Sequence, residues 1–312
     1  MSTLKPISAP LDRASELRSD EAALDRLWSA AKIIRVSNSK LATDGKSLQF
    51  LSATEVEKLI TSKIFTGGDK YFLGIDTASK VAYFAWDCDE VGLPAGETST
   101  EGLASLRELG ATLDEFQLGI SMHVIALSNW HRSHPHCSKC GAETKSTLGG
   151  SVRVCIKDQS QHHPRTDSAV IVLVKDKDDR ILLGHQPIWP DGRFSTFAGF
   201  LEPGETFEQC VEREVFEESG VKVNEIKYLG SQPWPFPASI MIAFSAVVDD
   251  PSTAKADGVE ITEVRWFSRD DLKSSVADGS LLLPPTISVA RKMIAMWFGP
   301  GAEKLTGGET WR

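Results

Sequence analysis

The chain has 312 residues, more than one ordinary domain needs, so two or three are expected. With 41% hydrophobic and 25% charged residues it has enough apolar material for more than one core. A net charge of −9 argues against a general nucleic-acid scaffold or a membrane-surface binder. The first residues, MSTLKPISAPLDRASELRSD, hold no apolar core of a signal peptide, and no apolar run reaches the length of a membrane span. Five cysteines, an odd number, suit a reducing compartment. The cytoplasm is the expected location.

Residues 1–130 form a first block. KYFLGID and KVAYFAW read as strands, and 103–132 carries apolar residues at helical spacing. Nothing here marks a catalytic site, so the block reads as an α/β domain for support or dimerisation. Residues 131–166 are short and turn-rich. Cys137-x2-Cys140 followed by Cys155 fits the first three ligands of a zinc ribbon. Asp158 stands where a fourth cysteine is usual. Asp158, His162 and His163 are all candidate fourth ligands, with a histidine favoured, and a decayed, metal-free ribbon is the alternative. Arg132, Lys139, Lys145, Arg153, Lys157 and Arg165 outnumber Glu143 and Asp158 in this block. Such a surface suits polyphosphate or RNA, or is simply that of a small soluble module.

Residues 167–298 form the third block, and 299–312 a glycine-rich tail expected to be loose. AVIVLV, RILLGHQ, the AGF segment, YLGSQPWPFPASIMIAFSAVV and EVRWFS supply strands. LLLPPTISVARKMIAMWF supplies a closing helix, with Thr286 or Ser288 as its cap. Between them, GFLEPGETFEQCVEREVFEESGV places Glu214, Glu217 and Glu218 on one helical face. Like charges so close repel, so a cation is expected among them. Carboxylate oxygens favour Mg²⁺ or Mn²⁺. Farther on, SQPWPFPAS sets three prolines between Trp234 and Phe236. It reads as an extended rail whose two rings project to one side, ready to stack on a flat base; a proline-rich edge strand with core aromatics is the alternative.

Residues 199–221 fit Gly-x5-Glu-x7-Arg-Glu-U-x-Glu-Glu-x-Gly-U (U aliphatic) at every fixed position. The segment resembles the Nudix box. SQPWPFPAS resembles the signature of the NADH pyrophosphatase (NAD-capped RNA hydrolase) branch of that family. Trp130-His131 and Pro164-Arg165-Thr166-Asp167 match branch positions too, while His163 replaces a usual tyrosine and Ser168 a usual proline.

The resemblance implies a Nudix α/β/α sandwich with a mixed sheet, an α/β (α+β) fold, preceded by a small zinc ribbon and an N-terminal α/β domain, for which a degenerate Nudix-like copy is one reading. It implies hydrolysis of the pyrophosphate of NADH or NAD⁺ to NMNH or NMN plus AMP, and removal of NAD caps from RNA. The alternative is another nucleoside diphosphate derivative, such as ADP-ribose. A nucleotide sensor and an RNA-binding ribbon protein are weaker readings, since no box glutamate is lost and the chain is acidic.

By resemblance, Glu214, Glu217 and Glu218 are the catalytic set and hold Mg²⁺ or Mn²⁺, with Glu260 and the Ala198 carbonyl. Glu263 is the other acid considered near Glu260. Gly199, Glu205, Arg213 and Gly220 hold the box in shape. Nicotinamide stacks between Phe200 and Trp234. Gln232, Pro233, Pro235, Phe236, Pro237, Ala238, Ser239, Ala290 and His163 complete the substrate pocket. If zinc is bound it is structural, since a closed four-ligand site leaves no place for substrate, and the resemblance implies a homodimer.

Overall fold

The computed structural model describes residues 4, 11–65, 68–89 and 102–306. The last residues of the expected loose tail, 307–312, lie outside them. The chain divides into two compact units, one of Ile7–Arg165 with Pro235–Ala238, the other of Met1–Pro6, Thr166–Trp234 and Ser239–Arg312.

The first unit runs β1 (Leu11–Asp12), α1 (Glu21–Trp28), β2 (Lys32–Ser37), β3 (Lys40–Ala42), β4 (Phe50–Leu51), α2 (Ala53–Thr61), β5 (Asp69–Asp76), β6 (Ala82–Asp87), β7 (Leu103–Ser105), α3 (Leu106–Leu109) and α4 (Glu115–Ser133). One sheet has the order β1-β5-β6-β2-β3-β7, with β4 on β2; only β2 and β6 pair in parallel. The helical spacing over 103–132 is broken. Ser105 and Asp114 each cap a separate helix, and the first stops at Gly110.

Three short strands follow: β8 (Thr144–Thr147), β9 (Val152–Cys155) and β10 (Gln161–His162), antiparallel in the order β10-β9-β8. His131 ties them to α4. Its Nε2 lies 2.8 Å from the Gly150 carbonyl, Arg153 lies 2.8 Å from its Nδ1, and its ring stacks on Tyr71 at 4.4 Å. The Trp130-His131 pair is therefore buried packing.

The second unit holds β11 (Asp167–Lys175), β12 (Ile181–His185), β13 (Phe197–Phe200), α5 (Phe207–Ser219), β14 (Val223–Trp234), β15 (Ser239–Val248), β16 (Glu263–Phe267), α6 (Arg269–Ala277) and α7 (Val289–Phe298). The sheet order is β14-β15-β11-β12-β16, with β13 on β11. Only β11 and β15 run parallel, so the sheet is mixed.

AVIVLV is apolar throughout because both faces of β11 are covered. Val170, Val172 and Val174 pack with Cys210, Val211 and Val215 of α5. Ile171 and Leu173 pack with Met293, Ile294 and Trp297 of α7. This is the expected α/β/α sandwich. Ser288, not Thr286, caps α7. The tail is not loose as far as Thr306: Leu305 is 5% exposed in the α7-side core. Burying that side chain outweighs the glycines before it.

SQPWPFPAS is not one extended rail. β14 is an edge strand paired with β15 up to Trp234↔Ser239, and residues 235–238 form the turn between them. Prolines at 235 and 237 have no N–H for a ladder, so pairing ends there. The two rings part company as a result. Trp234 stays in the second unit. Phe236 packs in the first unit's core, 4.4 Å from the Arg107 guanidinium, and Asn129 donates to the carbonyls of Pro235 and Pro237 at 3.1 and 2.9 Å.

Candidate active site

The acidic helix α5 begins where Thr206 and Gln209 form a reciprocal cap. It ends at Gly220, whose φ of 69° is left-handed and whose N–H donates to the Phe216 carbonyl at 2.8 Å. Three carboxylates follow one another along its length, but their surroundings differ. Glu217 is 57% exposed at its side chain and Glu214 only 14%. Glu218 is buried.

Arg213 organises the first two. Its Nε and Nη2 donate to both oxygens of Glu205, at 2.6 and 2.9 Å. Nη1 donates to Glu214 at 2.8 Å and to Glu217 at 3.1 Å, and Nη2 reaches the Phe200 carbonyl at 3.0 Å. One guanidinium so joins strand, loop and helix. That contact lowers the Glu205 carboxyl to about 2. Burial raises Glu214, against the pull of Arg213.

The Glu214 carboxylate lies directly over the Cα of Gly199. A Cβ at 199 would stand 1.8 Å from its carboxyl carbon and 2.0 Å from each oxygen. Only glycine leaves that room.

Burial pushes Glu218 up to about 8, the charges of Glu214 and Glu260 add to the shift, and a hydrogen bond from the Ala198 N–H opposes it. Its Oε2 has no hydrogen-bond partner. A buried, unsatisfied carboxylate oxygen beside other carboxylates fits a hard divalent cation. Glu260 is exposed in the turn before β16, with its N–H on Asp257. Glu263 pairs with Arg265 on the surface of β16.

Glu218 also lines a cavity of about 190 Å³. Trp234 and Ala290, expected at the substrate, and Ala198, expected at the metal, line it too. Phe200 is 57% exposed and does not line it. Gln232 is buried and donates to the Ile287 carbonyl at 2.7 Å, which steadies the turn into α7. Ser239 is buried opposite Trp234, Ala238 is half-buried, and Pro233 and His163 are exposed. The cavity also takes Trp189, Thr196, Phe197, Met241 and Ile261, which sequence reasoning did not single out, and Ser288, which it named only as a helix cap.

In the first unit, Cys137, Cys140, Cys155 and Asp158 each offer a ligand atom, all within 4.8 Å of one another. Among the described residues no other group of three or more does so. The favoured histidines are not in it. The N–H groups of Lys157 and Asp158 both point at Cys155 Sγ at 3.4 Å, and that knuckle leaves the exposed Asp158 within reach of the sulfurs. His162 sits beyond the turn on β10, 3.2 Å from Ser160 Oγ, and His163 is exposed. Three sulfurs and one carboxylate suit a tetrahedral metal such as zinc.

Acidic helix, glycine cradle and cavity together describe a hydrolase site that works with a divalent metal. The NUDIX domain family model matches residues 165–285. The chain is 36% identical over 300 residues to the NAD-capped RNA hydrolase NudC of Mycobacterium tuberculosis, covering 92% of each chain, and equally similar to that of Mycobacterium bovis. It is 37% identical over 197 residues to human NAD-capped RNA hydrolase NUDT12, a stretch covering 59% of this chain and 42% of that protein. The chain belongs to the Nudix hydrolase family, in the branch that holds these relatives. No helix among the described residues is long and apolar enough to cross a membrane.

Proposed function

We propose that this enzyme hydrolyses the central pyrophosphate of NADH and NAD⁺, giving AMP with NMNH or NMN, and removes NAD caps from RNA 5′ ends. The observation that carries this reading is that Trp234 and Glu218 line one cavity, a stacking surface beside an acidic site. The printed names of the relatives support it. Glu214, Glu217 and Glu218, with Glu260 and the Ala198 carbonyl, would hold Mg²⁺ or Mn²⁺, which would supply charge neutralisation at the phosphates and a more acidic water. Arg213 keeps Glu205, Glu214 and Glu217 in place. Glu217 or Glu218 takes the proton of the attacking water at a carboxylate oxygen. Trp234 and Phe200 hold the nicotinamide ring, and Ala290 closes the wall behind it. Gln232 acts by positioning the turn at Ile287.

The deciding experiment compares NADH, NAD⁺, ADP-ribose and NAD-capped RNA under one metal condition. A tenfold preference for ADP-ribose would replace this reading with the alternative. Trp234→Ala should lower kcat/KM for NADH by about 10- to 100-fold, the worth of one stacked ring. ADP-ribose, which lacks nicotinamide, should change less than about threefold. Equal losses would remove the stacking role.

The cysteine group holds structural zinc, with Asp158 as fourth ligand. A closed four-ligand site leaves no place for substrate. Protein purified without chelator should carry zinc by elemental analysis. Asp158→Ala should weaken its retention by at least roughly 10- to 100-fold. Zinc-free wild type, or unchanged retention in the variant, would contradict the assignment. The enzyme acts as a cytoplasmic homodimer, which light scattering of the purified chain would test.

A further inference from the structure

Thr196 lies at the edge of β13, two positions before Ala198, and is 6% exposed. Its Oγ1 has no hydrogen-bond partner although the residue lines the cavity. Valine would fill the same space without stripping a hydroxyl of water, so the hydroxyl costs stability where it is. Buried polar groups left unpaired are rare, and at a cavity wall they point to a ligand.

The rest of the lining does not use it. Trp189, Phe197, Trp234, Met241, Ile261 and Ala290 are apolar or aromatic surface. Ser288 Oγ is engaged by the Pro285 carbonyl and the Arg291 N–H. Glu218 belongs to the metal set. Gln186 and Ser195 also line the cavity without bonding the Thr196 hydroxyl, which is left as an unpaired buried donor and acceptor. A cavity of about 190 Å³ is smaller than the roughly 300–1,000 Å³ of a drug-sized site. It takes one ring, not a whole dinucleotide.

We infer that the Thr196 hydroxyl hydrogen-bonds the polar edge of the substrate ring that enters this cavity, and so helps to select the substrate. The inference rests on the dinucleotide reading above. Two rings of such a substrate carry a suitable donor and acceptor side by side: nicotinamide through its carboxamide, and adenine through N1 and its amino group.

The test is calorimetric titration of wild type, Thr196→Val and Thr196→Ser with NMN, AMP and ribose 5-phosphate, with Mg²⁺ present. Thr196→Val should weaken NMN or AMP by about five- to tenfold, the effect of one buried hydrogen bond. Ribose 5-phosphate should be unaffected, and Thr196→Ser should bind within about twofold of wild type. A loss confined to NMN assigns the nicotinamide edge, and a loss confined to AMP assigns adenine. The inference is overturned by unchanged binding of both, by a parallel loss of ribose 5-phosphate, by a serine variant that behaves like valine, or by a wild type that binds neither ring. Failure of the wild type to hydrolyse NADH would sink the functional reading separately, because these titrations need no turnover.

Discussion

Glu218→Gln is expected to abolish turnover and, in buffer without added Mg²⁺ or Mn²⁺, to melt higher than the wild type at pH 8. The loss of kcat should be on the order of 10³-fold or more, because the substitution removes a ligand charge from a metal-dependent site. The gain in stability comes from the same burial. The carboxyl ionises at about 8 in the folded chain against an ordinary 4.5. The folded state therefore keeps a proton that the unfolded state gives up. Wild-type stability falls as pH rises above about 4.5 and levels off past 8. The amide has no such slope. The two proteins should melt alike near pH 4 and diverge to on the order of 4 kcal/mol at pH 8, by linkage. Added Mg²⁺ should narrow the gap by compensating the wild-type charge. Turnover near the wild-type rate would sink the site assignment. Coincident melting from pH 4 to 8.5 would sink the burial cost.

Gly199→Ala should damage the site with the fold preserved. The new Cβ would overlap the Glu214 carboxylate at 1.8–2.0 Å, far inside contact distance. The strand cannot easily yield, because Gly199 is registered against Val170 in the middle of β13. Glu214 is the part that can move, at the cost of its bond to Arg213. A displacement of about 1 Å in a catalytic group can cost on the order of 100-fold in kcat/KM. The half-saturating metal concentration should rise about tenfold, as for other disturbed ligand shells. Circular dichroism should stay as in the wild type. A Gly199→Ala enzyme with normal metal dependence would show that the cradle is not needed.

Much of this was legible because the signals were local. A helix period of 3.6 is enough to group Glu214, Glu217 and Glu218, and the proline-laced segment was readable as a unit. AVIVLV was readable as a fully buried strand, which β11 is. The missed features depend on residues far apart in the chain. Thr196, Met241 and Ile261 are ordinary letters until β13, β15 and the turn before β16 bring them around one cavity. Extending the rail to Phe236 failed because alternation holds only while the strand continues, and here it ends at Trp234. The fourth position stayed open among Asp158, His162 and His163 because ligand frequency says nothing about the turn at Cys155, whose two N–H–sulfur contacts leave Asp158 within reach of the three sulfurs.

By itself the sequence determined the family, the acidic helix and the three sulfurs, since each lies within a short stretch whose spacing dictates its geometry. Only the tertiary structure decided that the three glutamates are unequal. Glu217 meets solvent, Glu214 rests on Gly199, and Glu218 is buried at the cavity wall. Burial depends on what the rest of the fold stacks against a helix face, and no periodicity within the helix encodes it.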